Sequence, residues 1–126
     1  MRQTPLLKSV LSILAESHQP ISVPSLQQKL AAQKITPNKT TLYRMLEKLT
    51  EEGVVERLLL DPKVAYYELK THHHHHFRCD NCDEIRCLSD PELETQIHAL
   101  EDKLKSSGLK IKDHHFSFSG SCDDCT

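Results

Sequence analysis

Five consecutive histidines end three residues before a cysteine pair in the segment THHHHHFRCDNC, residues 71–82. Imidazole nitrogens and thiolate sulfurs are ligands that zinc and related transition metals prefer. A purification tag normally lies at a terminus, whereas this run is internal and leads into cysteines with metal-ligand spacing. We therefore interpret the segment as part of a metal-binding region. A cloning remnant and a loose metal-binding tract without a defined site are the alternatives.

The five cysteines all follow residue 78 and form two C-x-x-C pairs and one single residue, namely Cys79 and Cys82, Cys122 and Cys125, and Cys87. Two such pairs can provide the four thiolates of a closed tetrahedral zinc site. A reversible dithiol is the alternative, but it needs basic neighbours or a helix N-terminus to lower a thiol pKa. The neighbours here include aspartates at positions 80, 83, 123 and 124. The spacing therefore predicts a structural Zn²⁺ ion held by the two pairs.

Length and charge set limits on the class of protein. The chain has 126 residues, three glycines, no tryptophan and 27% charged residues, which is typical of a soluble, largely helical protein. No apolar run approaches the ~20 residues needed to span a membrane, so we expect a cytoplasmic protein. The net charge is +2 over residues 1–69 (9 basic, 7 acidic) and −4 over residues 70–126 (7 basic, 11 acidic). This division predicts a first half that approaches phosphate and a second half that attracts cations.

The first half has the pattern of three short helices and a hairpin. Thr4, Ser22 and Asn38 are expected N-caps, and apolar residues recur at helical spacing behind each of them. The apolar positions are Leu7, Val10, Leu11 and Leu14, then Leu26, Leu30 and Ala31, then Leu42, Met45, Leu46 and Leu49. VVERLLL and VAYYEL flank a turn at Asp61-Pro62-Lys63. This order predicts a winged helix-turn-helix domain over residues 1–69.

The third helix, KTTLYRMLEKLTEE, is predicted to read DNA. Its apolar stripe turns Thr40, Tyr43 and Arg44 to the opposite side, where they suit phosphates, guanine and thymine methyls of a major groove. An ordinary solvated helix face is the alternative, and the wing with a lysine at its tip favours DNA. The predicted DNA-binding residues are Lys39, Thr40, Thr41, Tyr43, Arg44 and Lys63.

The second half, residues 70–126, is predicted to be a small α/β domain. We expect a strand at 72–78, a knuckle at 79–82, a short strand through Ile85 and Cys87, a helix from Pro91 to about Gly108, and a last strand at 109–120. The helix has an apolar stripe formed by Leu93, Ile97, Leu100 and Leu104. So small a domain needs a partner to cover this stripe, which predicts a homodimer built by the second half.

The ordered combination of motifs resembles the ferric uptake regulator family of metal-dependent bacterial repressors. TTLYRML is similar to the recognition-helix motif of the family, HHHHHFRCDNC to its histidine-rich segment, and HHFSFSGSCDDC to its closing segment. The resemblance implies an α+β fold, with an N-terminal winged helix-turn-helix domain and a small C-terminal α/β dimerisation domain that carries the zinc site. It also implies a homodimer that binds double-stranded operator DNA when loaded with a divalent metal and represses metal-uptake or related genes.

The resemblance implies two further metal sites. A regulatory site would use Glu68, His74, His76 and Cys87, with His18 as the nearby histidine of the DNA-binding half. Alternating strand faces separate His72, His74 and His76 from His73 and His75. The other face would join the family's further site, formed by His73, His75, Glu94 and His114.

The sequence departs from the family pattern at several positions. Cys87 replaces a usual carboxylate ligand, Leu7 replaces a common arginine, and Asp83 replaces a common glycine. The helix that usually precedes the T-P motif is missing, so with Leu7 we expect a weaker or differently arranged DNA contact. A thiolate at position 87 favours zinc, whereas iron is the alternative if Cys87 is only a buried apolar residue.

Three other functions compete with a zinc-responsive repressor. They are an iron- or peroxide-responsive repressor of the same family, a metal buffer or redox sensor that does not bind DNA, and a zinc hydrolase. The hydrolase is disfavoured because H-E-x-x-H is absent from the sequence. We therefore expect no enzyme activity and no small-molecule substrate.

Overall fold

The structure, a computed structural model, describes residues 4–17, 19–70 and 74–126. The chain divides into two compact units, Met1–His73 (unit 1) and His74–Thr126 (unit 2). Each unit combines helices with a small three-stranded sheet.

Unit 1 contains three helices, α1 (Pro5–Glu16), α2 (Val23–Ala32) and α3 (Lys39–Glu51). Each begins after a residue whose side chain accepts a hydrogen bond from a backbone N–H of the first turn: Thr4 from Leu7, Ser22 from Ser25 and Asn38 from Thr40. The three predicted N-caps are therefore confirmed. The chain turns away after α3 at Gly53, whose φ of +76° is a conformation that glycine adopts without strain.

The sheet of unit 1 has the antiparallel order β1-β3-β2, with β1 at Ile21–Ser22, β2 at Val55–Asp61 and β3 at Val64–Leu69. The predicted hairpin is confirmed, and the backbone N–H of Lys63 donates to Asp61 Oδ1 within its turn. Helices α2 and α3 followed by this hairpin form a winged helix-turn-helix arrangement.

One apolar core holds unit 1 together. It contains thirteen buried residues: Leu7, Val10, Ile13, Leu14, Ile21, Val23, Leu26, Leu30, Leu42, Leu46, Leu49, Val55 and Tyr67. Leu7, at a position where an arginine is common in the family that the sequence resembles, packs inside this core. Met45 is only partly buried. The prediction that Ala31 shares one face with Leu26 and Leu30 is wrong, because Ala31 is about 100° around the helix from Leu30 and is exposed.

Unit 2 contains the strands β4 (His75–Cys79), β5 (Ile85–Leu88) and β6 (Ser117–Gly120) in the order β5-β4-β6. Strand β5 pairs with β4 antiparallel, and β6 pairs with β4 parallel. Helix α4 (Pro91–Ser106) connects β5 to the last segment. It begins after Asp90, whose side chain accepts a hydrogen bond from the backbone N–H of Glu92.

The predicted last strand over residues 109–120 is wrong for most of its length, because only residues 117–120 are extended in the sheet. The parallel register starts with His76 opposite Ser117, and β4 itself starts at His75. In this register residue 116 would lie opposite His75, the first residue of β4, and residues 109–115 would lie ahead of the strand.

The α+β fold class predicted from the sequence is confirmed, including the helices and wing at the N-terminal end and the cysteine cluster in the C-terminal region. Within the described ranges, no helix combines the length and apolar character that a membrane span requires.

Candidate metal centres and DNA-binding surface

The four paired cysteines meet at one end of the sheet of unit 2. Cys79 ends β4, Cys82 follows in the turn, and Cys122 and Cys125 follow β6, so the parallel β4–β6 pairing brings both knuckles together. Their sulfur atoms lie within 4.8 Å of one another, and Cys79 and Cys122 are buried. Four thiol sulfurs at one point match the tetrahedral donor set of structural zinc.

Hydrogen bonds divide the protons of this cluster unevenly. The backbone N–H of Cys122, 3.4 Å from the Cys79 sulfur, and that of Cys82 lower the pKa of Cys79 to about 6. Hydrogen bonds with the side chains of Cys122 and Cys79 raise the pKa of Cys125 to about 12. The cluster therefore stabilises one thiolate and opposes the ionisation of further thiols. A bound divalent cation would remove the cost of ionising them, because it stabilises thiolates.

Asp83 explains one departure from the family pattern. Its φ is +61°, in the left-handed region where glycine is unstrained and aspartate is among the more tolerated residues. Its side chain also pairs with the guanidinium of Arg78, while its backbone N–H donates to the Cys79 carbonyl. A carboxylate thus replaces glycine here without loss of the turn.

A second set of donors lies near the start of β4, on the face of the strand that carries His76. His74, His76 and Cys87 offer ligand atoms within 4.8 Å of one another, and the register places Cys87 of β5 directly opposite His76. His76 is 3% exposed, whereas Cys87 is exposed. Glu68 lies on β3 of unit 1, half-buried and opposite Glu56. His18 lies outside the described residues, so its predicted role stays a prediction.

A third set forms where β4 faces α4. His75, Glu94 and His114 offer ligand atoms within 4.8 Å of one another, and Glu94 Oε1 faces Nε2 of both histidines, 2.5 Å from His75 and 3.6 Å from His114. Phe116 packs beside both imidazoles. His73 lies outside the described residues. The neighbouring His115 is exposed, and its Nε2 lies 3.4 Å from Asp113 Oδ2.

Two residues near the third set were missed by the sequence reasoning. Glu101 contacts Nδ1 of His114 through one carboxylate oxygen and Nδ1 of His98 through the other, each at 3.1 Å. The hydrogen bond from His114 holds the pKa of Glu101 below its usual value. Because Glu101 follows Glu94 by seven residues, the two share a face of α4, and helical spacing could have indicated the contact.

The predicted DNA-binding residues lie on an exposed surface. All six of them, namely Lys39, Thr40, Thr41, Tyr43, Arg44 and Lys63, are exposed, five near the start of α3 and one at the tip of the wing. The ammonium of Lys39 lies 5.9 Å from the centre of the Tyr43 ring. This helix face therefore presents cations and an aromatic ring to solvent.

Comparison with known proteins identifies the family. A sequence model of the ferric uptake regulator family matches residues 1–119, and the chain therefore belongs to this family. Its members are transcription regulators and not enzymes. They include iron-responsive and peroxide-responsive repressors, and the regulators of the family are DNA-binding dimers.

Three relatives define the similarity. The Ferric uptake regulation protein of Neisseria meningitidis is 33% identical over 113 residues, which cover 88% of this chain and 74% of that protein. The peroxide-responsive repressor PerR of Staphylococcus saprophyticus is 24% identical over 125 residues, covering 99% and 82%. The structure of the Ferric uptake regulator from Francisella tularensis with iron has a TM-score of 0.85 at 27% identity, covering 99% of this chain and 94% of that one.

Proposed function

We propose that the chain is a metal-responsive repressor that binds operator DNA as a cytoplasmic homodimer when a divalent metal occupies a regulatory site. The observation that carries this proposal is the juxtaposition of His74, His76 and Cys87, which is separate from the four-cysteine cluster. A closed four-thiolate site is suited to a permanent structural ion. A sensor needs a second, exchangeable site, and the mixed nitrogen and sulfur donors on β4 and β5 supply one.

The regulatory set comprises His74, His76 and Cys87, and by the family resemblance also Glu68 and His18. Residues 1–69 form the DNA-binding domain, and residues 70–126 form the metal-binding dimerisation domain. A metal that binds the DNA-binding state of the protein more tightly than other states makes metal occupancy favour that state. Such a differential interaction is what allows metal binding and DNA binding to be coupled.

Zinc is the proposed regulatory metal, and Cys87 is the reason. Carboxylate ligands suit Mn²⁺ and Fe²⁺, whereas a thiolate suits Zn²⁺. With Glu68, two histidines and Cys87, the site has four borderline-soft donors, which matches tetrahedral zinc.

Replacement of Cys87 tests the metal preference. We expect Cys87→Asp to lose DNA binding at nanomolar free zinc and to gain response to Fe²⁺ or Mn²⁺ relative to zinc, because a hard oxygen replaces sulfur. Cys87→Ser is the matched control, since it removes the thiolate without adding a carboxylate, and it should lose the zinc response without the gain. An unchanged metal preference in Cys87→Asp would contradict the zinc assignment while leaving the repressor function intact.

The other metal clusters have distinct proposed roles. Structural zinc binds Cys79, Cys82, Cys122 and Cys125. The further site uses His75, Glu94 and His114, with His73 by resemblance. Three donors of nitrogen and oxygen type, one buried and two half-buried, fit a divalent transition metal such as zinc or iron.

The DNA-binding role rests on the exposed α3 face and the wing. Arg44 is proposed to contact phosphate or guanine, with Tyr43 and the threonines against thymine methyls and the backbone. Lys63 contacts phosphate from the wing.

An iron- or peroxide-responsive repressor is the second candidate, favoured by the similarity to the Neisseria and Staphylococcus regulators. A gel-shift titration on A/T-rich inverted-repeat DNA with Zn²⁺, Fe²⁺, Mn²⁺ and chelator separates these functions. The proposal predicts a metal-dependent shift with zinc acting at the lowest concentration. A metal buffer would bind zinc under the same conditions without shifting any DNA.

A further inference from the structure

Glu101 is a carboxylate of α4 that lies beside the third cluster, formed by His75, Glu94 and His114, without being one of its donors. Its side chain is 14% exposed, although carboxylates on a helix surface are usually solvated. Both of its oxygens are engaged by imidazole nitrogens, Oε2 by His114 Nδ1 and Oε1 by His98 Nδ1. Among the described residues, Glu101 joins none of the clusters whose ligand atoms converge within 4.8 Å.

The two nitrogens of the His114 ring face different groups. Nε2 points at Glu94 Oε1, 3.6 Å away, and the same oxygen contacts His75 Nε2. Nδ1 points at Glu101 Oε2, 3.1 Å away on the other side of the ring. A neutral imidazole has one N–H and one lone pair, and a carboxylate can only accept a hydrogen bond. Both nitrogens face a carboxylate, but only the Nδ1 contact at 3.1 Å is of hydrogen-bond length, whereas 3.6 Å from Nε2 to Glu94 is too long. Glu101 therefore favours the Nδ1–H tautomer, which leaves the Nε2 lone pair on the side of Glu94 and His75.

We propose that Glu101 is a positioning residue that fixes the tautomer and orientation of His114 so that Nε2 is the metal ligand of the third cluster. This arrangement is a carboxylate–histidine–metal relay, in which the outer carboxylate also increases the basicity of the coordinating nitrogen. The inference rests on the proposed metal site formed by His75, Glu94 and His114. His98, 65% exposed, holds the second oxygen of Glu101 and restrains the carboxylate.

The first test measures the tautomer of His114 directly, in full-length protein that carries zinc in the four-cysteine site and no metal in the other proposed sites. Long-range ¹H–¹⁵N correlation spectra distinguish an Nδ1–H ring from the Nε2–H ring that free histidine favours. We expect the Nδ1–H form in the parent protein and a shift toward Nε2–H in Glu101→Ala. An Nε2–H ring in the parent protein, or no change in Glu101→Ala, would overturn the inference.

The second test measures the affinity of the third cluster for Zn²⁺ by chelator competition in a Cys87→Ser background, which weakens the competing regulatory set. Glu101→Ala is expected to lower the affinity about 10- to 100-fold, as loss of an outer-shell partner does. Glu101→Gln, whose amide oxygen can still accept from Nδ1–H, is expected to recover part of the loss. Asp102→Ala is the matched control, since Asp102 is an exposed carboxylate on the next position of α4.

A double-mutant cycle with His114→Ala separates the positioning role of Glu101 from the proposed metal site itself. If Glu101 acts through His114, then Glu101→Ala causes no further loss in the His114→Ala protein. A full additional loss would instead make Glu101 a direct ligand and overturn the positioning role. If His114→Ala weakens zinc binding and Glu101→Ala does not, only the inference is wrong. If His114→Ala has no effect, the proposed metal site is wrong, and the inference is wrong with it.

Discussion

Replacement of Cys79 by serine should unfold unit 2 and spare unit 1. The two units differ sharply in apolar core. Unit 1 buries thirteen apolar residues in one cluster, whereas the buried aliphatic residues in the described part of unit 2 are Ile85 and Ile97. The other buried side chains of unit 2 are the metal-type residues Cys79, Cys122, His75 and His76. The metal proposed for the four-cysteine cluster, together with the proposed partner subunit, would therefore supply much of the stability of unit 2.

The magnitude follows from this comparison. Burial of two isoleucines contributes about 3–6 kcal/mol, at roughly 1.5–3 kcal/mol each. Structural zinc contributes about 10–16 kcal/mol at neutral pH, which is as large as the whole net stability of a typical domain, about 5–15 kcal/mol. Cys79 is fully buried, so Cys79→Ser also places a hydroxyl at the centre of the cluster. We expect a loss of several kcal/mol, which is enough to unfold unit 2.

Hydrogen exchange of the full chain in the presence of zinc is the assay. Amides of β4, β5 and β6 should lose protection in Cys79→Ser, while amides of α1, α2 and α3 keep it. Cys87→Ser is the matched control, because Cys87 is an exposed cysteine of the same sheet outside the four-cysteine cluster. Native-like protection of β4–β6 in Cys79→Ser would refute the conclusion that a metal on this cluster stabilises the unit.

Three more predictions follow from the proposed sites. Arg44→Ala should reduce the steepness of log affinity for operator DNA against log salt concentration by about 0.9, because one phosphate contact is lost. Lys103→Ala in unit 2 should leave the slope unchanged, and an unaltered slope in Arg44→Ala would exclude a phosphate contact at Arg44. Leu100 and Leu104 of α4 are 48% and 39% exposed. Leu100→Glu should weaken the proposed homodimer about 10- to 100-fold, because covering the exposed half of Leu100 in each of two subunits is worth about half of 1.5–3 kcal/mol apiece. Sedimentation equilibrium measures the change, and a parent protein that is monomeric at micromolar concentration would contradict this prediction. Zinc loading of metal-free protein at pH 7 should release protons, because the pKa of Cys125 is raised to about 12 and its thiol must ionise on binding. Calorimetry in buffers of different ionisation enthalpy measures this release, and a heat of binding that does not depend on the buffer would contradict the prediction.

Local sequence signals predicted most of the fold. Caps such as Thr4 and Asp90 and the turn at Asp61 act within a few residues, so their outcome depends little on the rest of the chain. The last strand could not be bounded in this way, because its length depends on the register with β4, some forty residues earlier. Alternating apolar and polar residues after Gly108 resemble a strand, but in this register residues 109–115 lie ahead of the start of β4.

The donor clusters were predictable where spacing alone decides them. The C-x-x-C pairs predicted a common zinc site, and the alternation of β4 separated His75 from His74 and His76, in agreement with their positions in different clusters. Glu101 was missed because its spacing from Glu94 places both on one face of α4 but does not show which histidines that face contacts. Its contact appears only when α4 lies over β4 and the segment after α4 places His114 against it.

The central claim is that metal occupancy of the His74, His76 and Cys87 set controls DNA binding. Fluorescence anisotropy of labelled A/T-rich inverted-repeat DNA, titrated with full-length protein at buffered free zinc, tests it most directly. The structural zinc site is filled throughout, so that only the regulatory site changes. We predict that zinc tightens DNA binding about 5- to 150-fold, which corresponds to a coupling free energy of about 1–3 kcal/mol between the two sites. His74→Ala should remove this effect of zinc and leave unit 2 folded. Equal DNA affinity with and without regulatory zinc, or an undiminished zinc effect in His74→Ala, would contradict the account.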